Sequence, residues 1–69
     1  MRARQQQIYD FIQLYIEENK YPPTIREITL GVGLKSVSTV HGHLDRMRKS
    51  GHINFVDSFP RTLSIVEVK

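Results

Sequence analysis

Ser36-Val37-Ser38-Thr39-Val40-His41-Gly42-His43-Leu44-Asp45-Arg46-Met47-Arg48-Lys49-Ser50-Gly51 is the stretch whose reading decides the fold. At about 100° per residue, Val40, Leu44 and Met47 fall on one side of a helix, flanked by Val37 and His43. Opposite them lie Ser38, Gly42, Asp45 and Lys49, with Thr39, His41 and Arg46 at the margins. Ser36 stands where an N-cap belongs and Gly51 where a helix stops. Solvent-facing helices usually carry long charged residues, which favour helix and keep the surface wet. Here the outer face of the first two turns is serine, threonine and glycine, which weaken a helix but let another molecule approach its backbone.

Working outward toward the N-terminus, Leu34 and Lys35 lead back to Gly31 and Gly33, either of which can end a preceding helix in the left-handed conformation. That helix is short. It begins at Ile25 after Thr24, with Glu27 at the capping-box spacing, and it buries Ile25 and Ile28. Asn19-Lys20-Tyr21-Pro22-Pro23 separates it from an earlier segment, because two prolines cannot continue a helix and Pro22 drives Tyr21 to extended geometry. In that earlier segment, Arg2 to Asn19, the residues Ile8, Phe11, Ile12, Tyr15 and Ile16 form one helical stripe. Glu17 and Glu18 on its polar side argue for core packing and against a membrane-surface helix. Arg2 and Arg4 sit at the wrong end for the macrodipole and read as a basic N-terminus, with phosphate contact as the alternative.

Past Gly51 the period changes from 3.6 to 2. His52 to Asp57 and Thr62 to Val68 read as strands joined through Ser58-Phe59-Pro60-Arg61, with Ile53, Phe55, Leu63 and Ile65 facing inward. A lone hairpin is marginal in water, so it must pack on the helices. The expected fold is mainly α with a small β-hairpin: three helices and a two-stranded antiparallel wing, a winged helix-turn-helix, as a single domain over residues 1–69.

Composition narrows the function. Sixty-nine residues bury only roughly 60% of their unfolded surface, too little to enclose a catalytic cavity. No Ser/His/Asp or paired-carboxylate arrangement falls on facing surfaces, so the chain is not expected to be an enzyme. A net charge of +3 and an isoelectric point near 9.6 allow an anionic partner without demanding one. Without cysteine there is no disulfide and no thiolate metal site. His41 and His43 point about 200° apart on a helix, a poor metal geometry, so no cofactor or metal is expected. His43 reads as a half-buried packing residue and His52 as structural. No signal peptide or membrane-length apolar run is visible. Helix pairs joined by a glycine turn suit a DNA-binding helix-turn-helix but occur in ordinary bundles too.

Four motifs are more specific. Tyr21-Pro22-Pro23-Thr24-Ile25-Arg26-Glu27-Ile28, Val32-Gly33-Leu34-Lys35-Ser36, Ser38-Thr39-Val40-His41-Gly42-His43-Leu44 and Lys49-x-Gly51-x-Ile53 resemble, in order and spacing, the N-terminal DNA-binding domain of the LexA repressor family, in its Gram-positive-type version. The resemblance covers nearly the whole chain. It implies a bacterial, cytoplasmic, nucleoid-associated repressor of the DNA-damage (SOS) response that binds pseudo-palindromic double-stranded operators as a dimer. In that family repression ends by self-cleavage, stimulated by the RecA filament, through a serine–lysine pair in a separate C-terminal domain. No such domain is expected within these residues, so the chain reads as an excised domain or a free-standing relative from a phage or mobile element.

Carried over by position, the base-reading residues are Ser36, Ser38, Thr39, His41 and Gly42. Hydroxyls serve base edges or phosphates, a threonine methyl can meet a thymine methyl, and His41 can donate to a guanine acceptor or to phosphate. Gly42 removes a side chain that would hold the helix off the groove floor, against the alternative of a tolerated defect costing about 1 kcal/mol. Ser36 is first of all a cap. Lys35, Arg46, Lys49 and Arg61, with Arg26 and Tyr21 behind them, are the expected phosphate contacts, which position without specifying. Asp45, which repels phosphate, is expected to pair with Lys49, with acceptance from a cytosine amino group as the alternative. The chain departs from the family pattern at Leu30, usually polar, and at Asn54, Phe55 and Phe59, where relatives often carry arginine or lysine. The wing is thus less basic than the family's. A protein-interaction module using Leu30 and Phe59 is the rival reading, with Phe59 otherwise free to reach a minor groove. The isolated domain is expected to be monomeric, with a homodimer forming on DNA.

Overall fold

The computed structural model describes residues 2–57 and 59–66. Its elements run α1 (Ala3–Asn19), α2 (Ile25–Gly31), α3 (Val37–Lys49), β1 (Ile53–Asn54) and β2 (Ser64–Ile65). Three helices followed by a two-stranded antiparallel ribbon make a winged helix-turn-helix. The strands are much shorter than the period-2 runs in the sequence. Their register pairs Ile53 with Ile65 and Asn54 with Ser64, and one further rung joins Val66 N–H to the His52 carbonyl at 3.0 Å. Beyond Asn54 the ribbon opens into a turn pinned by Thr62. Its hydroxyl accepts from Val56 N–H at 2.9 Å and reaches the carbonyls of Val56 and Phe59, both at 3.2 Å. Of the residues expected in the hairpin, Ser58, Glu67 and Val68 lie outside the described residues.

Each helix boundary has a local cause. The α2 capping box is complete: Glu27 N–H donates to Thr24 Oγ1 at 3.2 Å, and Thr24 N–H donates to Glu27 Oε1 at 2.8 Å. Ser36 caps α3 by accepting from Thr39 N–H at 3.3 Å. Helix α2 ends in a Schellman pair, Leu34 N–H to the Thr29 carbonyl and Gly33 N–H to that of Leu30, with Gly33 left-handed at φ 76°. The same pair recurs after α3 around Gly51, φ 82°.

Gly31 has a different task from the helix stop expected of it. It is the last residue of α2, and a Cβ there would overlap the Phe11 ring of α1. The glycine is therefore a packing contact between two helices, which no local pattern announces.

The core holds Ile8 and Ile12 of α1, Ile28 of α2, Val40, Leu44 and Met47 of α3, and Ile53, Phe55 and Leu63 of the ribbon. The apolar stripe of α3 is thus buried as its spacing requires. The expected inward set of the hairpin is inward too, with Ile65 half-buried against the same cluster. No described helix is long and apolar enough to cross a membrane.

Gly31→Ala is expected to destabilise the domain by about 1–3 kcal/mol through overpacking against Phe11. Urea denaturation of Gly31→Ala, Phe11→Leu and the double variant checks this: the double variant should cost less than the two single changes added together.

Candidate nucleic-acid interface

Burying Val40, Leu44 and Met47 turns the opposite side of α3 outward. Ser36, Ser38, Thr39 and His41 are exposed, and Gly42 is half-exposed between them. A Cβ added at Gly42 would meet nothing within 4 Å, so no internal contact requires glycine there. Of the five residues carried over as base readers, Ser36 caps α3 and the other four lie within its first two turns, outside the core stripe.

The basic residues divide into two groups. Lys35 and Arg46, at the two ends of that face, and Arg26 on α2 are exposed and have no carboxylate within 4.0 Å among the described residues. Lys49 is also exposed, with its Nζ 3.2 Å from Asp45 Oδ2 in the expected pair. Arg61 and Tyr21, by contrast, are drawn into an internal clamp. Both guanidinium arms of Arg61 reach the Glu27 carboxylate, at 3.0 and 3.3 Å. One arm also donates to the Pro22 carbonyl at 3.1 Å, and the guanidinium lies 4.8 Å from the centre of the Tyr21 ring. Arg61 holds a left-handed φ of 59°, a region a bulky residue occupies only when its surroundings enforce it. Arg61, expected as a phosphate contact, is thus paired with Glu27 while its side chain stays 41% exposed.

Glu27 also accepts from the Tyr15 hydroxyl of α1 at 3.0 Å. The Thr24 N–H foremost, then Arg61 and Tyr15, outweigh desolvation and hold its carboxyl at about 2 instead of its ordinary 4.5.

The sequence reading passed over Arg48. It lies on the flank of α3 that faces the wing and donates to Asp45 Oδ1 at 2.8 Å, to the Phe55 carbonyl at 3.2 Å and to Asp57 Oδ2 at 3.4 Å. The guanidinium carbon stands 4.1 Å over the Phe55 ring. Two hydrogen bonds draw the Asp45 carboxyl below its ordinary range, Arg48 first and then Lys49. Only the Asp45–Arg48 spacing of three residues could have signalled this hub. His41 joins the same flank: its Nε2 is 3.6 Å from Asp57 Oδ1, and its ring stands edge-on to Phe55 with centroids 5.9 Å apart. His41 thus rests against the wing's root.

On the other flank His43 is half-buried, as expected of a packing residue. Burial pushes its pKa below the ordinary value, and the charges of Arg46, Arg4 and Arg2 add to the effect. The two N-terminal arginines therefore act electrostatically on α3 from the start of α1. Of the departures from the family pattern, Leu30 is 75% and Phe59 67% exposed, whereas Phe55 is buried beneath Arg48.

The Glu27 node predicts a specific acid response. A carboxyl whose pKa falls from 4.5 to about 2 on folding stabilises the fold fully above about 4.5 and loses that contribution as the pH drops toward 2. Glu27→Gln should be less stable than the wild type near neutral pH, and the two should converge across that acid window in urea denaturation midpoints.

The LexA DNA binding domain model matches residues 1–62. The chain is 46% identical to a LexA repressor of Oceanobacillus iheyensis over its full length, which is 33% of that relative. It is 50% identical to a LexA repressor of Caldicellulosiruptor saccharolyticus over 97% of the chain and 33% of the relative. A LexA repressor of Bacillus mycoides is 51% identical over 96% of the chain and 32% of the relative. The chain therefore spans about a third of the length of the curated relatives it matches. With a family match across nearly the whole chain and its elements in the winged helix-turn-helix order, the chain belongs to the LexA DNA-binding domain family.

Proposed function

We propose that this chain is the operator-binding domain of a transcriptional repressor of the DNA-damage response, reading double-stranded DNA with the outer face of α3. The observation that carries the proposal is the combination at that face. Small hydroxyl side chains and a glycine stand exposed on an N-capped helix, and the lone glycine clears a path that internal packing does not need. An α-helix fits the major groove, and close approach of its first turns puts Ser38, Thr39, His41 and Gly42 at the base edges. Ser36 closes the helix end and stands within reach of a phosphate.

Lys35 and Arg46 frame the face and serve as the main phosphate contacts, supported by Lys49 and Arg26. Tyr21 and Arg61 act one step back, holding the wing against the N-terminus of α2. His41 reads a base while Asp57 and Phe55 limit its rotation, so the wing root positions the reader even though the wing carries little charge.

Two copies on a pseudo-palindrome, one per half-site, suit a domain whose reading helix is single and exposed. Joined to a dimerising, self-cleaving domain, the chain would release its operators when the RecA filament forms. Alone it would be a compact operator binder in the bacterial cytoplasm.

Duplex binding should fall steeply with salt, because Lys and Arg displace counterions from phosphates, and should survive nonspecific competitor. No retardation of any operator-like palindrome at low salt would falsify the proposal. His41→Ala should relax discrimination at one base-pair position by about 1–3 kcal/mol. Arg46→Ala should instead weaken all sequences alike and reduce the salt slope by about one. Identical behaviour of the two variants would mean that the reading face is wrongly placed.

A further inference from the structure

Val37 is the first residue of α3 and is 44% exposed. The spacing of the apolar residues put it at the edge of the core stripe, but it is neither in the core nor among the half-buried residues packed on it. A β-branched side chain in that place has no structural return. It is a weak helix former, it leaves 44% of its surface exposed, and the first turn favours acidic or hydroxyl side chains that complement the helix dipole. Its neighbours Ser36, Ser38 and Thr39 are exposed and polar, so its two methyl groups form an isolated apolar spot on the reading end of α3. Valine is also stiff about χ1, so those methyls are already oriented before any partner arrives.

We infer that Val37 is a specificity-determining residue whose methyl groups contact the C5-methyl of a thymine in the operator half-site. The inference rests on the DNA-reading proposal and adds a base to it. Thymine presents the only methyl group of the unmodified major groove, and apolar side chains recognise it by contact. Val37 lies one turn before His41, on the same side of the helix. Four residues rise about 6 Å along the helix, so the thymine lies close to the pair that His41 reads.

The test starts from a duplex enriched by this chain out of a random pool, in which each thymine is replaced in turn by deoxyuridine, removing one methyl and nothing else. The wild-type chain should lose about fourfold in affinity at one thymine per half-site, the loss expected for one methyl-sized apolar group. Val37→Ser and Val37→Ala should bind the thymine and deoxyuridine forms of that position equally, and both should stay folded because the side chain lies outside the core. The inference is overturned if the wild type is indifferent to every thymine, or if the variants keep the same sensitivity. Failure to enrich any duplex overturns the DNA-reading proposal itself, so the two failures are told apart.

Discussion

Three parts of the molecule meet at the carboxylate of Glu27. It closes the capping box of α2 on Thr24, accepts the hydroxyl of Tyr15 from α1 and receives both arms of Arg61 from the wing. A domain of this size has a small core, and an apolar core sets volumes better than it sets orientations. Directional, charge-assisted bonds supply what the core lacks. Without Glu27 the wing would still bury Ile53, Phe55 and Leu63, but Arg61 would keep only the Pro22 carbonyl and the Tyr21 ring as its links to the front of α2. Arg61, which makes this link, also holds a left-handed backbone.

A second hub, Arg48, does for α3 what Glu27 does for α2. It covers Phe55, bonds to the strand end and shares Asp57 with His41. Helix α3 is therefore fixed from behind by Val40, Leu44 and Met47 and from one side by the wing root. What is left unsupported is the outer face, and that is where a groove can be entered. The low charge of the wing is consistent with this division of labour, since its arginine is turned inward and its buried phenylalanine serves as packing.

Much of this was legible in the sequence because the signals are local. Thr24 with Glu27, Ser36 before an apolar period, Gly33 and Gly51 after one, and two prolines between helices each act within a few residues of themselves. The inward set of the hairpin followed from alternation. The strands were read too long, since period-2 patterning marks which side chains face inward whether or not the backbone pairs. The exposure of Ser38, Thr39 and His41 on α3 follows from the spacing of its apolar residues. The partners of Arg61 were not, because Glu27 lies 34 positions away along the chain. Arg48 was overlooked because its ring, strand and carboxylate partners converge only once the wing folds back.

The amino-acid sequence alone determined the helices and their caps, the apolar faces and the small, polar face of α3, because each depends on spacing of at most a few residues and on the chemistry of single side chains. The tertiary structure alone decided that Gly31 makes room for Phe11, that Arg61 answers Glu27, that His41 leans on the wing and that Val37 stands outside the core. Those depend on distances between residues remote in the chain, and such distances exist only after the apolar faces have packed.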